Sequence, residues 1–292
     1  MLDSKMGLCA LCREPKELQL SHVVPNFVGR KMKKTSPSFI RNSNEPNKIA
    51  QDIEKHYLLC HECEERFSAR ENWFAKNIFN KYQDGIDNEY KYDSNLCYFM
   101  ISLAWRSLYL DLEEFSCDST FNKDILMALY RSELVMREYL LKKSDSLFNI
   151  QNHIFFFDRI SSVSNIDVDK NPSVALHRTI TSYSAYNGNT AFTVSNLLGI
   201  MLVTLYCMDK NEEWTNTQII NGNGTIKAEN QEMKSVVGNE IKHWMEVSED
   251  AKNSLSEKQK KQIEERFIKL GENIQNYPIF KDFMDDFNLK NK

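Results

Sequence analysis

Four of the seven cysteines fall as two C-x-x-C pairs, Cys9/Cys12 and Cys60/Cys63, with 47 residues between the pairs. Two-residue spacing lets both thiolates of one tight turn take adjacent corners of a tetrahedron. Two such turns complete a closed shell of four sulfurs around zinc, each at about 2.3 Å, with no corner left for water. Disulfide frameworks belong to short secreted chains, whereas paired C-x-x-C in a chain without a secretory leader reads as structural zinc. A redox C-x-x-C is the competing chemistry, and the presence of two pairs weighs against it. Cys97, Cys117 and Cys207 stand alone and are expected as small buried hydrophobes.

Between the pairs lie the elements that must position these sulfurs. Alternating and β-branched residues around 17–24 and 55–59 predict two short strands. The stretch 61–82 has helical spacing, with Phe67, Phe74, Ile78 and Tyr82 on one side. The second Cys pair therefore opens a helix. The residues joining the strands read as a basic, polar loop containing Arg30, Lys31, Lys33 and Lys34, suited either to solvent or to phosphates. A zinc knuckle, a hairpin and a helix carrying the second pair make a treble clef.

This combination, C-x-x-C, then Ser21-His22-Val23-Val24-Pro25, then Leu59-Cys60-His61-Glu62-Cys63 at a helix start, resembles the HNH or ββα-metal endonucleases in their zinc-stapled form. The resemblance covers about residues 7–80. It implies that His22, in the His-x-x-Pro step, is the general base that strips a proton from water. It also implies a catalytic Mg²⁺ or Mn²⁺ near Glu64, which stands where the family usually has a histidine. A carboxylate is a hard-oxygen ligand that suits Mg²⁺. The family's middle Asn is absent, with His56 and Lys55 nearest to its place, and Ser21 occupies the position before the base. Glu71 shares a helix direction with Glu64 but lies about 10 Å along the axis, so it reaches such an ion only indirectly. His61 is placed beside the zinc. Each residue also has a plain structural use: His22 as a packed hairpin histidine, Ser21 as a turn hydroxyl, and Glu64 as a favourable charge at a helix N-terminus.

Beyond the module, 95–115 and 121–143 predict two helices, an antiparallel pair behind the zinc. From His153 onward the pattern changes to β-branched and aromatic runs at 153–160, 176–186, 189–195 and 198–207. The turn signal Asn187-Gly188 lies among them. An antiparallel sheet over 152–227 follows, although 197–208 equally fits a buried helix. Asn221-Gly-Asn-Gly224 reads as a turn, because no Lys-Ser/Thr follows it. Ser256 to Leu270 predicts a charged helix stopped by Gly271. The expected class is α+β: a zinc treble clef at 1–84 joined near Gly85 to a helical and antiparallel-sheet lobe at 85–292.

Composition sets the outer limits. The 292 residues are 41% hydrophobic and 27% charged with only nine Gly and six Pro, which excludes wholesale disorder. The longest apolar run, 197–208, is too short for a membrane helix of about 20 residues. No secretory leader is legible, so the expected compartment is the cytoplasm. A net charge of −4 excludes nucleic-acid binding over the whole surface, yet residues 1–82 hold 14 Lys/Arg against 10 Asp/Glu. The leading expectation is a divalent-metal-dependent nuclease acting on DNA, with RNA as the other candidate polymer. A bacterial or phage defence effector is the setting that class implies. The alternative is a catalytically degenerate zinc module that binds nucleic acid or protein without cutting. Residues 85–292 then supply a partner surface or a homo-oligomer contact.

Overall fold

The computed structural model describes residues 5–157 and 171–291. Its fold is mixed α and β, with the four-cysteine module at one end and an antiparallel sheet in the larger lobe.

Three strands, β1 (Lys5–Leu8), β2 (Pro15–His22) and β3 (Lys55–Cys60), form the module's sheet in that order. β2 and β3 match the expected hairpin, and β1 adds a third strand that alternation over four residues was too short to reveal. The β2–β3 register runs from Leu18 opposite Cys60 to His22 opposite Lys55, with a bulge at Gln19/Leu20. Between the strands, the expected basic loop begins with a helix, α1 (Asn26–Lys34). Pro25 stands just before its first residue without a capping side-chain bond, and Val24, Val28 and Met32 recur at helical spacing against the core. That apolar stripe, masked by four cations, is why the segment folds as a helix.

Cys60 ends β3 and α2 (His61–Phe74) begins at the next residue. The helix continues through a π turn (Ala75–Phe79) into α3 (Asn80–Gln83), so the expected span of 61–82 is continuous. Phe67, Phe74 and Ile78 are fully buried. Tyr82 instead reaches out of the module, and its hydroxyl donates to the carbonyls of Phe157 and Gly199.

After β4 (Glu89–Tyr92), α4 (Ser94–Cys117) runs through the middle of the molecule, and α5 (Lys123–Leu140) packs back on it. Asp93 and Asn122 cap the two helices. The large sheet follows: β5 (Gln151–Phe156), then, after the short helix α6 (Pro172–His177), β6 (Ile180–Asn187), β7 (Thr190–Leu197) and β8 (Ile200–Cys207). The expected strand at 153–160 thus ends at Phe156, with 158–160 outside the described residues. The expected strand at 176–186 starts late because Pro172 opens a helix there. The ambiguous 197–208 is a strand, entered through a turn at Leu198-Gly199, both at positive φ. Asn187-Gly188 makes the other hairpin, with Gly188 at φ 59.

Short strands β9 (Glu213–Thr215), β10 (Gln218–Ile219), β11 (Gly224–Lys227) and β12 (Glu232–Lys234) complete the β structure. The five-stranded sheet has the order β10-β5-β8-β7-β6, all antiparallel, while β11 pairs with β4 and β12 with β9. The turn expected at 221–224 lies between β10 and β11. Helices α7 (Asn239–Asn253), α8 (Glu257–Leu270) and α9 (Pro278–Lys290) end the chain. Ser256 caps α8 and Gly271, at φ 52, stops it.

One continuous apolar core includes Leu59 and Phe67 of the module, Trp105 of α4, Leu129 of α5 and Leu202 of β8. A second core lies on the other face of the sheet, around Phe192, Val203 and Trp244. Among the described residues no helix is long and apolar enough to cross a membrane.

Candidate metal centre

The knuckle between β1 and β2 is a tight turn in which the Cys9 N–H donates to Glu14 O and the Arg13 N–H to Cys9 O, with Arg13 at φ 62. It places Cys9 and Cys12 against Cys60 and Cys63, the residues on either side of the α2 start. The four sulfurs lie within 4.8 Å of one another. The Cys12 and Cys60 sulfurs are 3.9 Å apart. A tetrahedral zinc with bonds of about 2.3 Å asks for an edge of about 3.8 Å, so the donor set fits zinc in both chemistry and size. No pair is bridged as a disulfide. The Cys60 N–H donates to the Cys9 sulfur at 3.3 Å. Hydrogen bonds from Cys63 and from backbone amides hold the Cys9 thiol well below the ordinary thiol range, against the opposing effect of burial. Three of the four residues are buried, which suits a structural metal rather than an open catalytic one.

His22 ends β2, opposite Lys55, at the other end of the strand pair from Cys60. Its Nε2 lies 3.3 Å from Asp52 Oδ2, and Asp52 also takes Lys55 Nζ at 2.5 Å and the Ile53 N–H at 2.9 Å. Burial alone would raise the Asp52 pKa, but these donors, Lys55 foremost, bring it down to about 2. Asp52 is therefore a carboxylate at any working pH, able to orient the imidazole through Nε2.

The His22 backbone is held as firmly as its ring. Arg106, in the middle of α4 and 1% exposed, donates through Nη1 to the His22 carbonyl at 2.9 Å and through Nη2 to Glu71 Oε1 at 2.8 Å. Its Nε donates to Ser102 O, and its guanidinium lies over the Phe67 ring. Glu71 is thus the counter-charge of a buried arginine. Sequence reading missed Arg106; its signal is one cation within the otherwise apolar run from Leu96 to Leu108.

Ser21 and Glu64 meet at the next position along β2. The Ser21 hydroxyl, 1% exposed, donates to Glu64 Oε2 at 2.7 Å. Ser21 meets the first turn of α2, while the His22 ring, at the last position of β2, turns to Asp52. His56, opposite Ser21 in the register, bonds Glu54 Oε1 at 2.7 Å. It lines a separate groove with Lys5, Lys55, Tyr57 and Tyr109. His61 is exposed and pairs with Glu65 at 3.4 Å.

The four cations lie on α1, which starts four residues after His22. Arg30, Lys33 and Lys34 are exposed and share a helix face. Lys31 is half-buried and donates to Asp84 at 2.7 Å, and Lys33 Nζ donates to Gln51 O at 2.6 Å. Of the lone cysteines only Cys97 is buried, accepting from Asn152 Nδ2, and burial raises its pKa to about 11. Cys117 is exposed and Cys207 half-buried, because each ends its element beyond the core.

No protein-family model, curated protein or solved structure matches this chain.

Proposed function

We propose that this protein is a divalent-metal-dependent nuclease of the HNH kind that hydrolyses DNA phosphodiester bonds. The observation that supports it most is the end of β2: a carboxylate-oriented imidazole at His22 and, one residue earlier, a Ser21–Glu64 oxygen pair against the first turn of α2, the helix that carries Cys63. The 2.7 Å between those oxygens is close to the edge of an octahedron with metal–oxygen bonds of about 2.1 Å. Mg²⁺ or Mn²⁺ held by Glu64 would supply charge stabilisation for the pentavalent phosphorus and the departing oxygen.

The chain's own groups do the rest. His22 carries no bond at Nδ1 among the described residues, so that nitrogen takes the water's proton as the water oxygen attacks phosphorus and the ester P–O bond breaks. Asp52 stabilises the imidazolium that results. Arg106 fixes the strand end that carries it. Arg30, Lys33 and Lys34 hold flanking phosphates through charge, giving salt-sensitive binding. The four-cysteine centre has no open corner and serves as the staple.

The test is nicking of supercoiled plasmid in Mg²⁺ and in Mn²⁺ by wild type and by His22→Ala, at matched zinc content. Nicking by wild type alone is expected. Equal nicking by both, or none by either while zinc is retained, overturns the reading. A second reading, a zinc module that binds nucleic acid or a protein partner without cutting, draws on the closed Ser21–Glu64 hydrogen bond and the engagement of Glu71 by Arg106. In that case DNA binding survives His22→Ala and Glu64→Ala unchanged.

A further inference from the structure

A cavity of about 860 Å³ opens beside the His22–Asp52 pair. One wall is the segment 40–54, another the start of β6 with the residues just before it, and the third the face of α7 and its end from His243 to Leu255. Val23 and Val24, directly after His22, and Asp52 itself are in its lining. The size is that of a small organic ligand site, usually about 300–1,000 Å³.

Its chemistry is two-sided. Trp244, Val247, Ala251 and Leu255 recur at helical spacing and give α7 an apolar wall. The Trp244 indole N–H is already engaged with Tyr183 Oη at 2.9 Å, so only its ring is on offer. The other walls carry amide and hydroxyl groups at Asn42, Ser43 and Thr181, a guanidinium at Arg41, and two carboxylates that are already engaged, Asp52 by Lys55 and Glu54 by His56. Arg41 donates from Nη1 to Pro46 O at 2.8 Å and from Nη2 to Gln259 Oε1 at 2.7 Å, both neutral acceptors. Its Nε is buried with no partner, and among the described residues no carboxylate pairs with it. Burial lowers its pKa, and the neighbouring charge of Arg266 acts in the same direction. A half-buried cation with an unspent N–H and another cation for a neighbour is completed by an anion.

We propose that this cavity binds a nucleotide unit, with its base against the apolar side of α7 and its phosphate on Arg41. A small carboxylate would satisfy Arg41 and leave the apolar wall empty, and an apolar ligand would leave Arg41 unpaired. The unit is either a free nucleotide or one residue of a strand that continues toward His22; the two share one chemistry. The inference stands whether or not His22 cleaves.

Full-length, zinc-loaded protein without added divalent cation is titrated calorimetrically with nucleoside mono- and triphosphates of the four common bases, and separately with a short single-stranded oligonucleotide. Two variants are compared: Arg41→Gln, which removes the cation, and Ala251→Trp, which fills the cavity from the half-buried face of α7 without touching a polar group. Saturable binding is expected in wild type, weakened at least about tenfold by Arg41→Gln and lost in Ala251→Trp. A response to free nucleotides assigns the site to a small ligand, and a response to the oligonucleotide alone assigns it to the strand. Absence of binding up to about 1 mM, or wild-type affinity in Ala251→Trp, overturns the proposal.

Discussion

Helix α4 is gripped differently on its two sides. Toward the zinc module the grip is charged: one buried guanidinium, Arg106, ties the His22 carbonyl to the Glu71 carboxylate across three elements. Toward the large sheet α4 offers one hydroxyl, Ser107, to chains of hydroxyls that the sheet itself carries. Ser107 bonds Ser182, which bonds Ser195, each at 2.6 Å; Ser184 bonds Thr193, which bonds Tyr206, at the same distance. Asp111 joins that side by accepting the Ser184 N–H at 2.6 Å. The sheet brings extensive apolar strands of its own, so its many weak bonds set register. The module shares its apolar core with α4 through residues such as Leu59, Phe67 and Phe74, and adds a four-cysteine metal site and an ion pair, which fix position at single points.

The strongest way to break this contrast is to remove the zinc. In Cys60→Ser, or with a chelator, the module loses a binding free energy of order 10 kcal/mol. Hydrogen exchange is expected to release the amides of β1, β2 and β3 while those of β7 and β8 stay protected. Simultaneous release of both would show that the two sides are not separable.

Next in size is the charged grip. Glu71→Ala strands a buried cation and is expected to cost about 3–5 kcal/mol in urea unfolding. The pair Arg106→Met with Glu71→Gln, which removes both charges, is expected to cost clearly less than the two single changes summed. Additivity of the singles would mean that no ionic coupling exists.

The sheet side makes its own statement through pH. Burial raises Asp111 to about 6 although Ser184 opposes the shift, and burial lowers His153 to about 4. Asp111 contributes stability that is full below its unfolded pKa and is lost as pH rises through about 6. His153 contributes stability that is present above its ordinary 6.5 and is lost as pH falls through about 4. Each is worth on the order of 2 kcal/mol, and they oppose one another over this window. Asp111→Asn should therefore lose stability on acidification from pH 7 to 4, and His153→Gln should gain it, with wild type between them in thermal melts. The smallest effect belongs to one link of the hydroxyl chain: Ser182→Ala is expected to cost about 1 kcal/mol.

What was legible in the sequence follows the same division. Cys9, Cys12, Cys60 and Cys63 announced the centre, because tetrahedral thiolate binding imposes spacing on the chain. The helix from residue 61 and the hairpin turn at Asn187-Gly188 were legible through periodicity and turn residues. The run 197–208 read both ways, since a strand buried on both faces has no alternation; the turn at Leu198-Gly199 settles it. Arg106 showed only as a lone cation in an apolar run, because the partners that give it a role, Glu71 and His22, are far away in sequence. α1 and α7 hid behind charged and polar faces, with only a narrow apolar stripe each. For the candidate site, His22, Ser21 and Glu64 were placed by motif alone, while the partners that give them chemistry, Asp52 and Arg106, came from tertiary contacts.

The helix that leaves Cys60 also measures a distance. From the zinc ligands to the hydroxyl of Tyr82 it spans residues 61 to 82, about 33 Å at 1.5 Å per residue, and it docks on two sheet carbonyls at its far end. The π turn at 75–79 widens one revolution, so it holds one residue more than an α turn and advances everything beyond it by about 100°. Deleting one residue there would leave the zinc intact and swing Tyr82 away from the sheet. The helix is thus a ruler with a built-in vernier: the sheet's bearing relative to the metal is counted in residues, and a frame of 22 positions has no tolerance for 21.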